Sequence, residues 1–326
     1  MGQFNKRMIY FFTMYLILGV AFRGSYSLVY GKNEGFNYFK NYSTDLHPQN
    51  WSVLQDRRGI IYVANNGGLK EFDGAAWRTI NVPNWTVRSL AVGDTGTLYI
   101  GGVNEIGFLA PDSKNSLHYV SLLEHLEDNQ KNFGKVWRAN ATKEGICFRT
   151  SDYLFRWEPG IKQMKPWQAK GQFKASFTCN GKLYIHDTAI GLMHMVKNSL
   201  EPAAGGEKFA GMRIYMIAPY DSQSLLISTR TKGFFLYDGT KTEPFTTEVD
   251  DYLKEKKISH GIRLSRSPGD FALATLQGGL LIIDSQGHLK KVFNRNTGLQ
   301  DDNVKYVYED YQGNLWLALD KGVAKI

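Results

Sequence analysis

Apolar and polar residues alternate with a period of two along most of the chain, in short runs broken by Gly, Asp and Asn. VRSLAV (87–92) and VKYVYED (304–310) are examples. Such runs predict β-strands with one face buried and one turned away. No long heptad pattern competes with them, and the turn signals between runs are frequent. An all-β chain follows.

The runs recur. IYVA at Ile61, LYIG at Leu98, ICFR at Ile146, LYIH at Leu183, LLIS at Leu225, FALA at Phe271 and LWLA at Leu315 begin at intervals of 37, 48, 37, 42, 46 and 44 residues. A period near 42 is that of a radial β array. Each unit has the same grammar. An inner alternating strand leads into a tight turn such as DRRG (56–59) or EDYQG (309–313). Asp can accept from backbone N–H groups further along such a turn, and Gly can take a positive φ. A second strand, a loop often ending in Gly, a third strand and an outer strand follow. Asp73-Gly74 and Asp238-Gly239 predict type I′ hairpins. The outer strands are expected at 75–80, 161–167, 242–247 and 289–293. The sum is a seven-bladed β-propeller of four-stranded antiparallel blades over residues 26–326, which hides most strand edges. The recurrent Gly, Asp and apolar positions read as scaffold.

Unit 7 lacks an outer strand. FNYFKNY (36–42) precedes the inner strand of unit 1 and resembles the outer strands elsewhere. It is expected to pair with residues 322–326 and close the ring, since an open ring leaves two bare edges. The competing reading is a chain that stops inside a longer array.

Composition adds little to the fold. Hydrophobic residues make up 43% of the chain, aromatic residues 13%, and Gly (33) far outnumbers Pro (9), as turn-rich β structure requires. The net charge is +8, but Lys6, Arg7 and Arg23 flank an apolar run, Met8 to Phe22. That run is short for a bilayer span and suits an export signal, with an uncleaved anchor as the alternative. Residues 1–25 are therefore set apart as signal peptide or N-terminal anchor. The remaining positive excess is mild and dispersed, and no helix-turn-helix, zinc or RNA-binding pattern accompanies it. Nucleic acid is not an expected partner. Cys147 and Cys179 fit no metal spacing; a bridge and two free buried thiols are both open.

Candidate chemistry lies where inner strands begin. The residue after the first apolar position is Arg88, Trp137, Lys174, Tyr215, Arg263 and Lys305 in six units, with Arg138, Arg213 and His260 adjacent. Convergence of these side chains at the channel mouth would make a ring for sugars, best for an acidic glycan. Aromatic rings stack on pyranose faces, and Arg forks onto hydroxyls or carboxylates. Trp85, in NVPNWTV, is a further candidate. The alternative is that these side chains pack their stems between blades. No catalytic motif, metal-ligand spacing or cofactor signature is present, although a propeller can assemble an enzyme site from several blades.

EDYQGNLWLALDKGVAKI (309–326) closely resembles the two-component regulator propeller repeat: an apolar strand, Asp, two residues, Gly, Asn-Leu-Trp, then a Gly turn and a short strand. QDRRGIIYVANNGGLKEFDGAAWRTI and GDTGTLYIGGVNEIGFLAPD match more loosely, and NTGLQDDNVKYVYED resembles the family's blade junction. Ala318 stands where the repeat has Gly, and units 3 and 4 (FRTSDYLFRW, IHDTAIGLMH) are degenerate. The resemblance spans about 36–326. It implies a periplasmic sensor propeller of a bacterial signalling receptor, with an oligosaccharide or other small ligand and a second propeller or sensor protomer as partners. It implies no enzyme and no cofactor in this chain. Membrane contact would come only through the N-terminal segment or through following domains. No kinase motif, receiver domain or recognition helix lies within these residues, so sensing would be reported elsewhere. The other readings are a glycan-active propeller hydrolase or lyase and a scaffold for protein partners.

Overall fold

The computed structural model describes residues 39–43 and 47–326. The signal or anchor expected at 1–25 lies outside the described residues. Among the described residues, strands assemble into seven four-stranded antiparallel sheets. Each sheet is one blade, and in six of them the strands follow chain order from the channel outward. The inner strands are Asn50–Gln55, Val87–Val92, Arg138–Thr142, Phe173–Cys179, Ile214–Pro219, Ile258–Arg263 and Val304–Glu309 for blades 1 to 7.

Blade 7 is completed from the other end of the chain. Lys40–Tyr42 pairs antiparallel with Val323–Lys325, Lys40 opposite Lys325 and Tyr42 opposite Val323. This is the expected closure; residues 36–38 of the anticipated strand lie outside the described residues.

The core is not one cluster but seven, one between each pair of neighbouring blades, because alternate side chains of a strand leave on opposite faces. Tyr62 and Ala64 pack toward blade 2. Their neighbours Ile61 and Val63 pack toward blade 7. Leu315, Leu317 and Leu319 face blade 6, while Trp316 and Ala318 face blade 1. The closing interface is aromatic. Tyr42 stacks on Trp316, with centroids 5.6 Å apart and planes at 13°, and lies 5.2 Å from Phe72 and 5.5 Å from Trp77.

Asp organises the turns between strands as anticipated. Asp310 is buried and accepts from Gln312 N (3.0 Å), Asn314 N (2.8 Å) and the Trp316 indole N–H (2.9 Å), while Gly313 has φ +91°. Asp56 repeats the pattern on Arg58 N and Ile60 N. The Asp-Gly hairpins differ from expectation. Gly74 and Gly239 have positive φ, but Asp73 and Asp238 do not, so neither turn is type I′, which needs both. Each Asp instead turns its carboxylate onto the N–H groups two and three residues on. A short helix, Asp250–Lys256, breaks the all-strand pattern between blades 5 and 6, with Asp residues in its first turn and Lys in its last. Cys147 and Cys179 are free and buried.

A cation-lined mouth at the start of the inner strands

Six of the seven inner strands carry a register shift near their first residue, and one residue in each falls opposite no partner. These are Trp51, Arg88, Lys174, Tyr215, Ser259 and Lys305. In blade 3 pairing begins at Arg138, and Trp137 sits just ahead of it, its N–H on the Arg149 carbonyl at 2.9 Å. A β-bulge re-aims the unpaired side chain. Here it turns one residue from each of six blades into the central channel, and these six and Trp137 of blade 3 line one cavity of about 500 Å³.

Arg88, Arg138, Arg149, Lys174, Arg213, Arg230 and Lys305 line this cavity, with Trp51, Trp137, Tyr215 and Tyr306. No carboxylate is among its lining residues. The cations rest on rings. Arg88 Cζ is 3.3 Å from the Trp51 centroid and 4.6 Å from that of Trp137. Arg138 lies 4.8 Å from Tyr306, and Arg230 lies 4.2 Å from Tyr215 and donates to its hydroxyl. Lys305 is also 3.2 Å from Asp320, just outside the cavity. Burial pulls Arg88 down to about 10. Burial, then the charge of Arg138, pulls Arg149 down to about 9. These directions express the cost of keeping charge in a dry, like-charged place.

The channel continues past this layer. Leu90, Arg138, Ser176, Phe177 and Tyr306 also line a second cavity of about 640 Å³, at the end of the inner strands. There the lining includes Arg57, Asp94, Tyr308 and Tyr311. His260 stacks on Tyr306 at 3.9 Å and accepts from Val307 N at 3.4 Å.

Of the ten anticipated residues, Arg88, Trp137, Arg138, Lys174, Arg213, Tyr215 and Lys305 share the first cavity. Arg263 and His260 line the second. The strand of blade 6 begins at Ile258, so its bulge residue is Ser259, and counting from Ile262 selects the wrong end of the strand. Trp85 lines neither cavity; it is 59% exposed in the loop before Val87, with φ +59° following Asn84 at +60°. Trp51, Arg149, Arg230 and Tyr306 were not anticipated. Trp51 could have been, because it follows Asn50 as Arg88 follows Val87.

A closed seven-bladed propeller with a ligand-sized, cation-lined mouth is thus the class of protein. Residues 298–321, in its last unit, match the model of the two component regulator propeller, so that stretch of the chain is similar to the family's repeat. Solved structures of the same fold include the extracellular domain of BT4673 from B. thetaiotaomicron, a protein assigned to hybrid two component systems. That match has a TM-score of 0.69 at 15% identity over 89% of this chain and 40% of that one. The corresponding domain of BT3049 from the same organism gives 0.66 at 16%, over 88% and 41%. This chain therefore spans about two fifths of either. Virginiamycin B lyase from Staphylococcus aureus, solved with quinupristin, gives 0.66 at 8%, over 88% and 98%. No curated protein matches the chain.

Proposed function

We propose that this chain is the ligand-sensing propeller of a bacterial signal-transduction receptor, exported to the periplasm, and that it binds an acidic oligosaccharide at the mouth where the inner strands begin. One observation carries the reading: every blade contributes a residue from the start of its inner strand to a single cavity, six of them at a bulge, and the cavity is lined by Arg, Lys and aromatic residues with no carboxylate. The BT4673 and BT3049 domains, extracellular parts of signalling proteins on the same fold, support the sensing role. A ligand held by several blades at once would bias their packing. A second propeller or a following domain would read that bias.

The test is a thermal-shift screen of the purified chain against neutral and acidic oligosaccharides. A rise in melting temperature with an acidic glycan is expected, and a folded protein that no glycan shifts would overturn the reading. The same mixtures discriminate the lyase reading that the virginiamycin enzyme's fold raises: a ligand recovered cleaved rather than intact would favour it.

A further inference from the structure

Arg88 differs from the other cations of the mouth. The residue is 6% exposed, yet no hydrogen bond or ion pair reaches its guanidinium among the described residues. Indole rings cover it, Trp51 at 3.3 Å and Trp137 at 4.6 Å. A guanidinium donates in its own plane, so what the rings leave free is an edge, and Arg88 lines the cavity. Trp51 is itself pinned by its N–H on Asn66 Oδ1 at 2.7 Å, which holds the slot open. A buried cation without a counterion is unfavourable unless something supplies the charge.

Two further cations line the same cavity and each keeps a buried nitrogen unpaired. Arg149 is buried, gives Nη1 to the Phe173 carbonyl at 3.0 Å and leaves Nε without a partner. Arg230 also leaves Nε without a partner, and it belongs to blade 5, three blades round from Arg88. Arg230 and Arg88 thus reach the cavity from well-separated blades, which suits a ligand with more than one acidic group.

We propose that Arg88, clamped between Trp51 and Trp137, anchors an anion subsite, and that the ligand of this mouth is an oligosaccharide with at least two acidic groups, carboxylates or sulfate esters. The inference rests on the sensor reading above and narrows it. One acidic group forks onto the Arg88 edge, with a pyranose face against Trp137, which is 42% exposed. The second reaches toward Arg149 and Arg230.

The experiment is calorimetric titration of the full chain with trigalacturonic acid, sucrose octasulfate and maltotriose, repeated on Arg88→Met and Arg88→Lys. Met fills the slot between the indoles without charge. Lys keeps the charge but loses the fork. The expected result is binding of an acidic probe in preference to maltotriose, weakening with added salt. Arg88→Met should weaken it by at least about tenfold, the scale of a charged hydrogen bond. Which acidic probe binds identifies carboxylate or sulfate ester as the source. If Arg88→Met melts early, Arg88→Lys carries the comparison. Acidic binding that both variants retain would overturn the Arg88 anchor and leave the sensor reading standing. Binding of maltotriose alone would overturn the acidic class, again with the sensor reading intact. Failure of every probe would overturn the inference, and the glycan screen then decides the sensor reading separately.

Discussion

Ring closure by a three-residue strand makes a quantitative demand on Tyr42. Its ring stacks on Trp316 and meets Phe72 and Trp77 edge-on, so it joins the outer strand of blade 7 to the third and fourth strands of blade 1. Replacing it by Ala removes these contacts and loosens the pairing of Lys40–Tyr42 with Val323–Lys325. Truncating a fully buried aromatic costs about 3–5 kcal/mol. Tyr42 is only half-buried, so a loss of about 2–3 kcal/mol follows, part of it from the aromatic pairs themselves. In a chain of this size that is on the order of 5 °C in melting temperature. Lys40→Ala on the same strand, exposed and with its ammonium 5.2 Å from the Tyr42 ring, should cost far less, about 0.5 kcal/mol. Hydrogen exchange locates the effect: the amides of Val323–Lys325 should exchange faster in Tyr42→Ala while those of blades 3 and 4 stay protected. A Tyr42→Ala protein that melts with the parent and keeps Val323–Lys325 protected would show that the strand is ornamental and that the ring holds without it.

Three further outcomes follow from packing and charge. A Cβ on Gly107 would meet the Val120 carbonyl oxygen at 2.2 Å and the Tyr119 ring at 2.4 Å. Gly107→Ala should therefore cost about 2–4 kcal/mol in urea unfolding. Gly160→Ala, with open space around its Cβ, should be near neutral, and equal effects would refute the argument. Burial pushes Cys147 up to about 12 and Cys179 up to about 11, so both thiols should resist a thiol reagent at pH 8 until the chain is unfolded; rapid labelling of native protein would contradict this. His260 is held well below its usual range by burial and by Arg138, and His186 is lowered chiefly by burial. Both take up a proton less readily in the fold than in the unfolded chain. Stability should thus fall as pH drops from 7 toward 5.5, by up to about 1.4 kcal/mol per unit for each. His260→Gln should flatten that slope, and an unchanged slope would refute its share.

Strand order, blade number and closure were legible because each rests on a period. Alternation sends Tyr62 one way and Ile61 the other whatever surrounds them. What was hidden depends on register. Ser259 and Arg263 both follow an apolar residue in one strand, and only the bulge after Ile258 decides which of them faces the cation-lined mouth. The helix Asp250–Lys256 was hidden for a related reason. Seven residues give too little periodicity to stand out, and packing of Leu253 and Val249 between blades 5 and 6 holds it.

The degenerate units sharpen this point. At the fourth position of the second strand, blades 1, 2, 5, 6 and 7 carry Ala64, Gly101, Ser228, Ala274 and Ala318. Space explains the small residues: a Cβ on Gly101 would strike Val136 at 2.4 Å and the Ser89 hydroxyl at 2.6 Å. Blades 3 and 4 break the rule with Arg149 and His186. His186 remains structural, its Nε2 2.9 Å from the Phe209 carbonyl. Arg149 also bonds the next blade, its Nη1 3.0 Å from the Phe173 carbonyl, but it lines the cavity as well. The departure from the repeat that weakened the family likeness in unit 3 is the one that places a buried cation in the mouth. In a repeat array, scaffold positions are held to type by the neighbours they pack against. A unit that drifts from type at such a position is where the channel gains chemistry that the repeat itself does not specify.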